Sequence, residues 1–104
     1  MVKHIVFYTL REDCDKAAAI AEIRAALEPL AGQIPGLSCM QIRPVCKGGY
    51  DYALYSEFDS MEALAAYQQD PRHLAVKPIV HDTCRSCLEL AFYRGHSPYP
   101  VFCR

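Results

Sequence analysis

Between Val2 and Leu10 apolar side chains fall on both sides of an extended segment, with Val2, His4, Val6, Tyr8 and Leu10 on one face and Lys3, Ile5, Phe7 and Thr9 on the other. Most of these types favour strands, so residues 2–10 read as a strand apolar on both faces. The period then changes. Ile20, Ile23, Leu27 and Leu30 recur at steps of three and four among many alanines. This pattern predicts an amphipathic helix from about residue 15, with Asp13 or Asp15 as its cap and Gly32 as its end. Pro29 is expected to bend or loosen its last turn. Ile34-Pro35-Gly36-Leu37 is a turn signal, and a poorer strand follows near 38–46, where Pro44 points to an edge or a bulge. Gly48-Gly49 permits a reversal before the next strand, Tyr50 to Phe58.

Asp59-Ser60-Met61-Glu62 reads as a helix start in which Asp59 caps and Glu62 reaches back. Leu64 and Tyr67 face inward on that helix. Asp70-Pro71 interrupts it and opens a short separate helix over 71–80, which Pro78 ends. Cys87 to Tyr93 then sets Leu88, Leu90 and Phe92 against Cys87, Glu89, Ala91 and Tyr93, a final strand. The order β-α-β, β-α-β predicts an α+β, ferredoxin-like split βαβ fold: a four-stranded antiparallel sheet with its helices on one face. The uncovered face would carry apolar side chains from the first, third and last strands, more than water tolerates well. A homodimer packing sheet against sheet would bury them.

Composition narrows the field. With 104 residues the chain is one domain, read as residues 1–94 with a tail over 95–104. A chain 52% hydrophobic with a formal charge of −1 is neither disordered nor a nucleic-acid binder working through excess positive charge. Six cysteines suggest a disulfide framework only in an exported chain. Ile5 to Leu10 gives just six uncharged residues before Arg11, short of the apolar stretch of a signal peptide. A cytoplasmic location with reduced thiols is therefore expected. No apolar run approaches a membrane span. The charged face of the first helix, with Asp15, Lys16, Glu22, Arg24 and Glu28, reads as solvated surface. Gly48-Gly49 has no following helix to cradle a phosphate, so no nucleotide cofactor is indicated.

Several segments carry a resemblance: Lys3-His4 before Ile5-Val6-Phe7, Ile34-Pro35-Gly36-Leu37, Gly49-Tyr50-Asp51-Tyr52-Ala53-Leu54, and above all Phe58-Asp59-Ser60-Met61-Glu62-Ala63-Leu64 running through Tyr67 to Asp70-Pro71-Arg72-His73. With these the chain resembles the stress-responsive A/B barrel domain (Dabb) family from residue 3 to about 93. The resemblance implies a ferredoxin-like protomer whose sheet pairs with a second copy as a dimeric α+β barrel, with a cavity between sheet and helices. Plant polyketide cyclases of this fold use a tyrosine and a histidine for an aldol-type ring closure without a cofactor. Tyr67 and His73 fall in the matching Tyr…Pro-x-His segment, and His4 matches another pocket histidine. A further pocket histidine stands here as Tyr52, and a phenol cannot replace an imidazole as a base near neutral pH.

These residues are the candidates for chemistry. His73 can take and return a proton near pH 7, and Tyr67 can hold a carbonyl oxygen as an enolate forms. The alternative is that His73 simply caps or packs the helix–sheet junction. His4 either lines the cavity or is a hydrogen-bonded core residue. Tyr8 and Tyr52 would supply aromatic surface to a ligand, or else fill core and interface. His81-x-x-Cys84-x-x-Cys87 offers only three local metal ligands, and Cys103 or His96 would have to come in from the tail. Free thiols are the expectation, with no metal or cofactor. The expected function is thus the binding of a small apolar or aromatic molecule in the protomer cavity. A cofactor-independent lyase or cyclase acting on a polyketide-like carbonyl is one alternative, and a structural or stress-induced interaction protein with a filled core is the other. Tyr99, Val101 and Phe102 of the tail are expected to cover a sheet edge or reach the partner.

Overall fold

The N-terminal alternation becomes strand β1, Val2–Leu10. The computed structural model, which describes residues 1–95, continues with α1 (Lys16–Leu27), a 3-10 turn (Glu28–Gly32), β2 (Leu37–Pro44), β3 (Tyr52–Phe58), α2 (Met61–Gln69), α3 (Pro71–Thr83) and β4 (Cys84–Tyr93). The strands lie in the order β2-β3-β1-β4, each neighbouring pair antiparallel. This is the ferredoxin-like α+β sheet that the pattern predicts. The tail residues Tyr99, Val101, Phe102 and Cys103, with His96, lie outside the described residues. Among the described residues no helix is long and apolar enough to cross a membrane.

The core sits between the inner sheet face and the helices. Val2, Val6 and Leu10 of β1 meet Leu54 and Phe58 of β3, and Ile23 and Leu27 of α1 close over them. Burial of such side chains is the main favourable term, each contributing about 1.5–3 kcal/mol. The Asp15 carboxylate caps α1 by accepting from Ala18 N at 3.1 Å. Asp51 ties three elements together. Its carboxylate accepts from Leu10 N at 2.7 Å and from Lys16 Nζ at 3.1 Å, and the Leu10 amide first, then Lys16, holds that carboxyl below its ordinary range.

Several local expectations are corrected. The α-helix ends at Leu27 instead of Gly32, because Pro29 has no amide to continue the ladder; the chain tightens into a 3-10 turn that still buries Leu30. The cap of α2 is Ser60 instead of Asp59. Ser60 Oγ accepts from Ala63 N at 3.1 Å, while the Asp59 amide donates to Gly36 O at 2.9 Å. Pro78 does not end α3, which runs on to Thr83 because Val80 is buried and Ile79 packs against the core. One lost backbone bond is outweighed by that burial. β4 starts at Cys84 instead of Cys87, β3 at Tyr52 instead of Tyr50, and β2 ends at Pro44. Gly36, at φ 83°, sits under α2; a Cβ there would stand 2.6 Å from Ala63 Cβ, so only glycine fits.

The polar face of α1 is not merely solvated. Arg24 Nη2 donates to Ile42 O at 3.0 Å, and Glu28 Oε2 accepts from Ile42 N at 2.9 Å. Two helix side chains thus satisfy the open backbone of edge strand β2 and blunt it against pairing. The other sheet edge is treated differently. On the outer face Phe7 lies opposite Leu88, Ile5 opposite Leu90, and Lys3 opposite Phe92. Leu88, Leu90 and Phe92 are 49%, 40% and 47% exposed in the protomer.

Candidate functional site

The site begins at the break between α2 and α3. Asp70 is extended, with φ −67° and ψ 132°, and Pro71 follows as the first helical residue, where a missing amide costs nothing. Asp70 Oδ1 caps α3 through Arg72 N at 2.8 Å, and Asp70 Oδ2 pairs with Arg72 Nη2 at 2.8 Å. The Arg72 guanidinium holds the Asp70 carboxyl at about 2. Arg72 Nη1 also donates to Gln33 O, which anchors the junction to the loop after the 3-10 turn. The chain therefore turns sharply and rigidly between Tyr67 and His73. Their rings stack with centroids 4.1 Å apart and planes 23° from parallel, although six residues of a continuous helix would have kept them apart. Phe58 backs Tyr67 at 5.1 Å.

Both rings line a cavity of about 410 Å³ between the β1/β4 side of the sheet and α3. Val6, Leu27, Leu54 and Val80 make its apolar part. His4 and Tyr8 of β1 lie on the sheet side, so four of the five candidates share one space. Tyr52, expected as a ligand-facing ring, is not on that wall. It is fully buried behind Tyr8, stacked at 4.8 Å, and its hydroxyl has no hydrogen-bond partner. The reason is that the Tyr8 ring, stacked on it from the neighbouring strand, stands between Tyr52 and the cavity.

Protonation follows from burial. The Tyr8 and Tyr67 phenols are pushed well above their ordinary value, first by burial and then by acidic neighbours, Cys87 and Tyr67 for Tyr8 and Glu89 for Tyr67. Both are therefore hydrogen-bond donors at neutral pH. Burial, and then the Lys77 charge, lowers His73, while the backbone of Tyr67 and Gln68 opposes the shift. His73 is thus a neutral imidazole near pH 7, with its Nδ1 buried. Such a ring accepts a proton, and a phenol stacked on it can donate to an oxygen that gains charge.

His4 stands opposite Ser56 in the sheet. Ser56 Oγ donates to His4 O at 3.2 Å and lies 3.4 Å from Nδ1. His4 is buried, and its Nε2 faces Glu89 Oε1 at 3.5 Å without closing a hydrogen bond, a contact that becomes an ion pair when the ring is protonated. His4 is accordingly a core residue on one side and a wall residue on the other.

Cys84 and Cys87 both face the cavity, which regular alternation forbids for residues three apart. A register shift in the β1–β4 pairing sets Thr9 against Ser86 but Leu10 against Cys84, and this bulge turns both thiols inward. Burial raises the Cys84 thiol, as does its neighbour Cys87. Among the described residues no group of three or more histidine, cysteine, aspartate or glutamate side chains is arranged to hold a metal ion. Reading the sequence alone missed Lys77 and Glu89 as wall residues. Lys77 was visible as the step of four beyond His73, and Glu89 as the inward partner of Val6, but nothing local marked them as more than surface charge.

No curated protein matches the sequence. Solved structures match it across nearly the whole chain. A dimeric protein of unknown function and ferredoxin-like fold from Bacteroides fragilis is 29% identical, covering 88% of this chain and 93% of its own at a TM-score of 0.79. A dimeric ferredoxin-like protein of unknown function from Thermobifida fusca is 22% identical, covering 88% of each chain at 0.77. A hydroxynitrile lyase from Passiflora edulis shares the fold at 19% identity, covering 93% of this chain and 96% of its own at 0.79. A family model matches residues 2–93, the span from the first residue of β1 to the last of β4, and by it the chain belongs to the stress responsive A/B barrel domain family.

Proposed function

We propose that this protein works as a homodimer whose protomer cavity binds a small molecule with an aromatic or otherwise mainly apolar body and a carbonyl oxygen. The observation that carries this reading is the cavity of about 410 Å³ in which Tyr67 and His73 stand in stacking contact. Its volume suits a ligand of one or two rings, and an apolar floor with a few convergent polar groups is the usual form of such sites. The tyrosines do not fill the space, which tells against a purely structural role. Pairing of two sheets would cover Leu88, Leu90 and Phe92, and the dimeric relatives from Bacteroides fragilis and Thermobifida fusca support that assembly. The free thiols at Cys14, Cys39, Cys46, Cys84 and Cys87 suit a reducing, cytoplasmic setting.

A second reading rests on protonation. A neutral His73 beside a protonated Tyr67 suits removal of a proton next to the carbonyl, with the phenol donating to the enolate oxygen and no cofactor taking part. One compound tests both readings. 1-Acetonaphthone, titrated calorimetrically, should bind the wild type and bind His73→Ala more weakly. Binding that ignores the substitution removes His73 from the site, and no binding removes the ligand reading. In deuterated buffer the wild type should speed exchange of the ketone's methyl protons, and His73→Ala should lose the effect. Sedimentation at micromolar concentration should show twice the 11.7 kDa protomer mass, and Leu90→Glu should return it to one.

A further inference from the structure

We infer that the ligand of this cavity is an anion, a small aryl carboxylic acid whose carboxylate docks on Lys77 while its ring lies over the apolar floor. The inference rests on the ligand-binding reading above and deepens it.

His73, Lys77 and His81 follow one another at steps of four along α3, so they form one stripe, and all three line the cavity. Among the described residues Lys77 has no carboxylate within ion-pair distance, whereas the acids around it are engaged. Asp70 is held by Arg72 at 2.8 Å, and Glu89 lies beside His4 on the sheet wall, its carboxylate 3.5 Å from Nε2. An ammonium at the edge of a partly dehydrated space is left without a protein counter-ion. A ligand carboxylate supplies one, with a charge-assisted hydrogen bond that a neutral ligand cannot make. His81 is the weaker anchor, since it sits in the last turn of α3, where unsatisfied carbonyls disfavour an anion. The rest of the wall fits the other end of such a molecule. The Tyr8 and Tyr67 phenols and the buried His4 Nε2 lie where ring hydroxyls or a carbonyl would meet them. Glu89 on the sheet side repels a carboxylate placed in reverse, so the ligand has a single orientation.

The test compares 1-naphthoate with 1-naphthamide, nearly isosteric and differing in charge, by calorimetric titration at pH 7.5. Wild type should prefer the carboxylate by about fivefold, the upper end for a rim ion pair. Lys77→Gln should erase that preference and leave naphthamide affinity unchanged, while Lys77→Arg should keep it. Lys77 is exposed, so both variants should fold as the wild type does. Equal affinity for the two probes in wild type overturns the anion inference and leaves the ligand reading standing. Equal weakening of both probes by Lys77→Gln also overturns it. Failure of both probes to bind overturns the ligand reading and the inference together.

Discussion

β3 and β4 both pair with β1, and both turn alternate side chains inward, yet they end in opposite environments. The inward residues of β3, Tyr52, Leu54, Ser56 and Phe58, are buried, whereas the inward Cys87, Glu89, Ala91 and Tyr93 of β4 remain exposed. The difference lies in what covers them. α1 and α2 close over β3 and β2, and Arg24 and Glu28 even satisfy the β2 backbone. α3 stands off β4, and the gap is the cavity. The same alternation therefore builds a packed half that holds the fold and a hollow half that can hold a ligand, with β1 as the shared wall.

Substitution of Phe58 by alanine should cost the most, about 3–5 kcal/mol in urea unfolding, because Phe58 is fully buried against Tyr67 in the packed half. On the hollow side, Cys87→Ala should change stability by under about 0.5 kcal/mol, since Cys87 is exposed. Similar costs for the two would erase the contrast between the halves. A smaller change of opposite sign is expected at Tyr52. Its hydroxyl is buried without a partner, so Tyr52→Phe should raise stability by about 1 kcal/mol. A loss instead would mean that the hydroxyl is satisfied, and that the packed half carries a polar contact it now lacks.

The smallest effect expected is the pH response of the hollow half. His73 titrates below the ordinary histidine value of 6.5, chiefly because burial disfavours the charged ring. A depressed value in the folded state means that its stabilising contribution is complete above about pH 6.5 and is lost as pH falls through the folded value. The urea midpoint should therefore decline on acidification below that point, and less so in His73→Ala. The His73 ring signals should titrate below 6.5. A ring titrating at or above 6.5 would show that the cavity leaves His73 as hydrated as a surface histidine.

Much of the framework was legible in the chain. The period-two stretches of β1 and β3 and the three-four spacing of α1 follow from side-chain direction alone, and so does the excess of apolar side chains outside. The misplaced boundaries share one cause. At Pro29, Ser60 and Pro78 a local preference competed with burial, and the outcome depended on whether Leu30, Leu64 or Val80 found a core to enter. The site was legible only in part. His73, Tyr67, His4 and Tyr8 were singled out by residue type and resemblance, but Tyr52 looked equivalent to Tyr8 because both face inward on neighbouring strands.

By itself the sequence determined the sheet, its inner and outer faces and the break at Asp70-Pro71, because these depend on periodicity and on backbone chemistry within a few residues. Only the tertiary structure decided that α3 stands away from β4, that a bulge turns Cys84 and Cys87 to the same side, and that Lys77 and Glu89 face one space. Those outcomes depend on how far apart packed elements settle, a distance that no local pattern encodes.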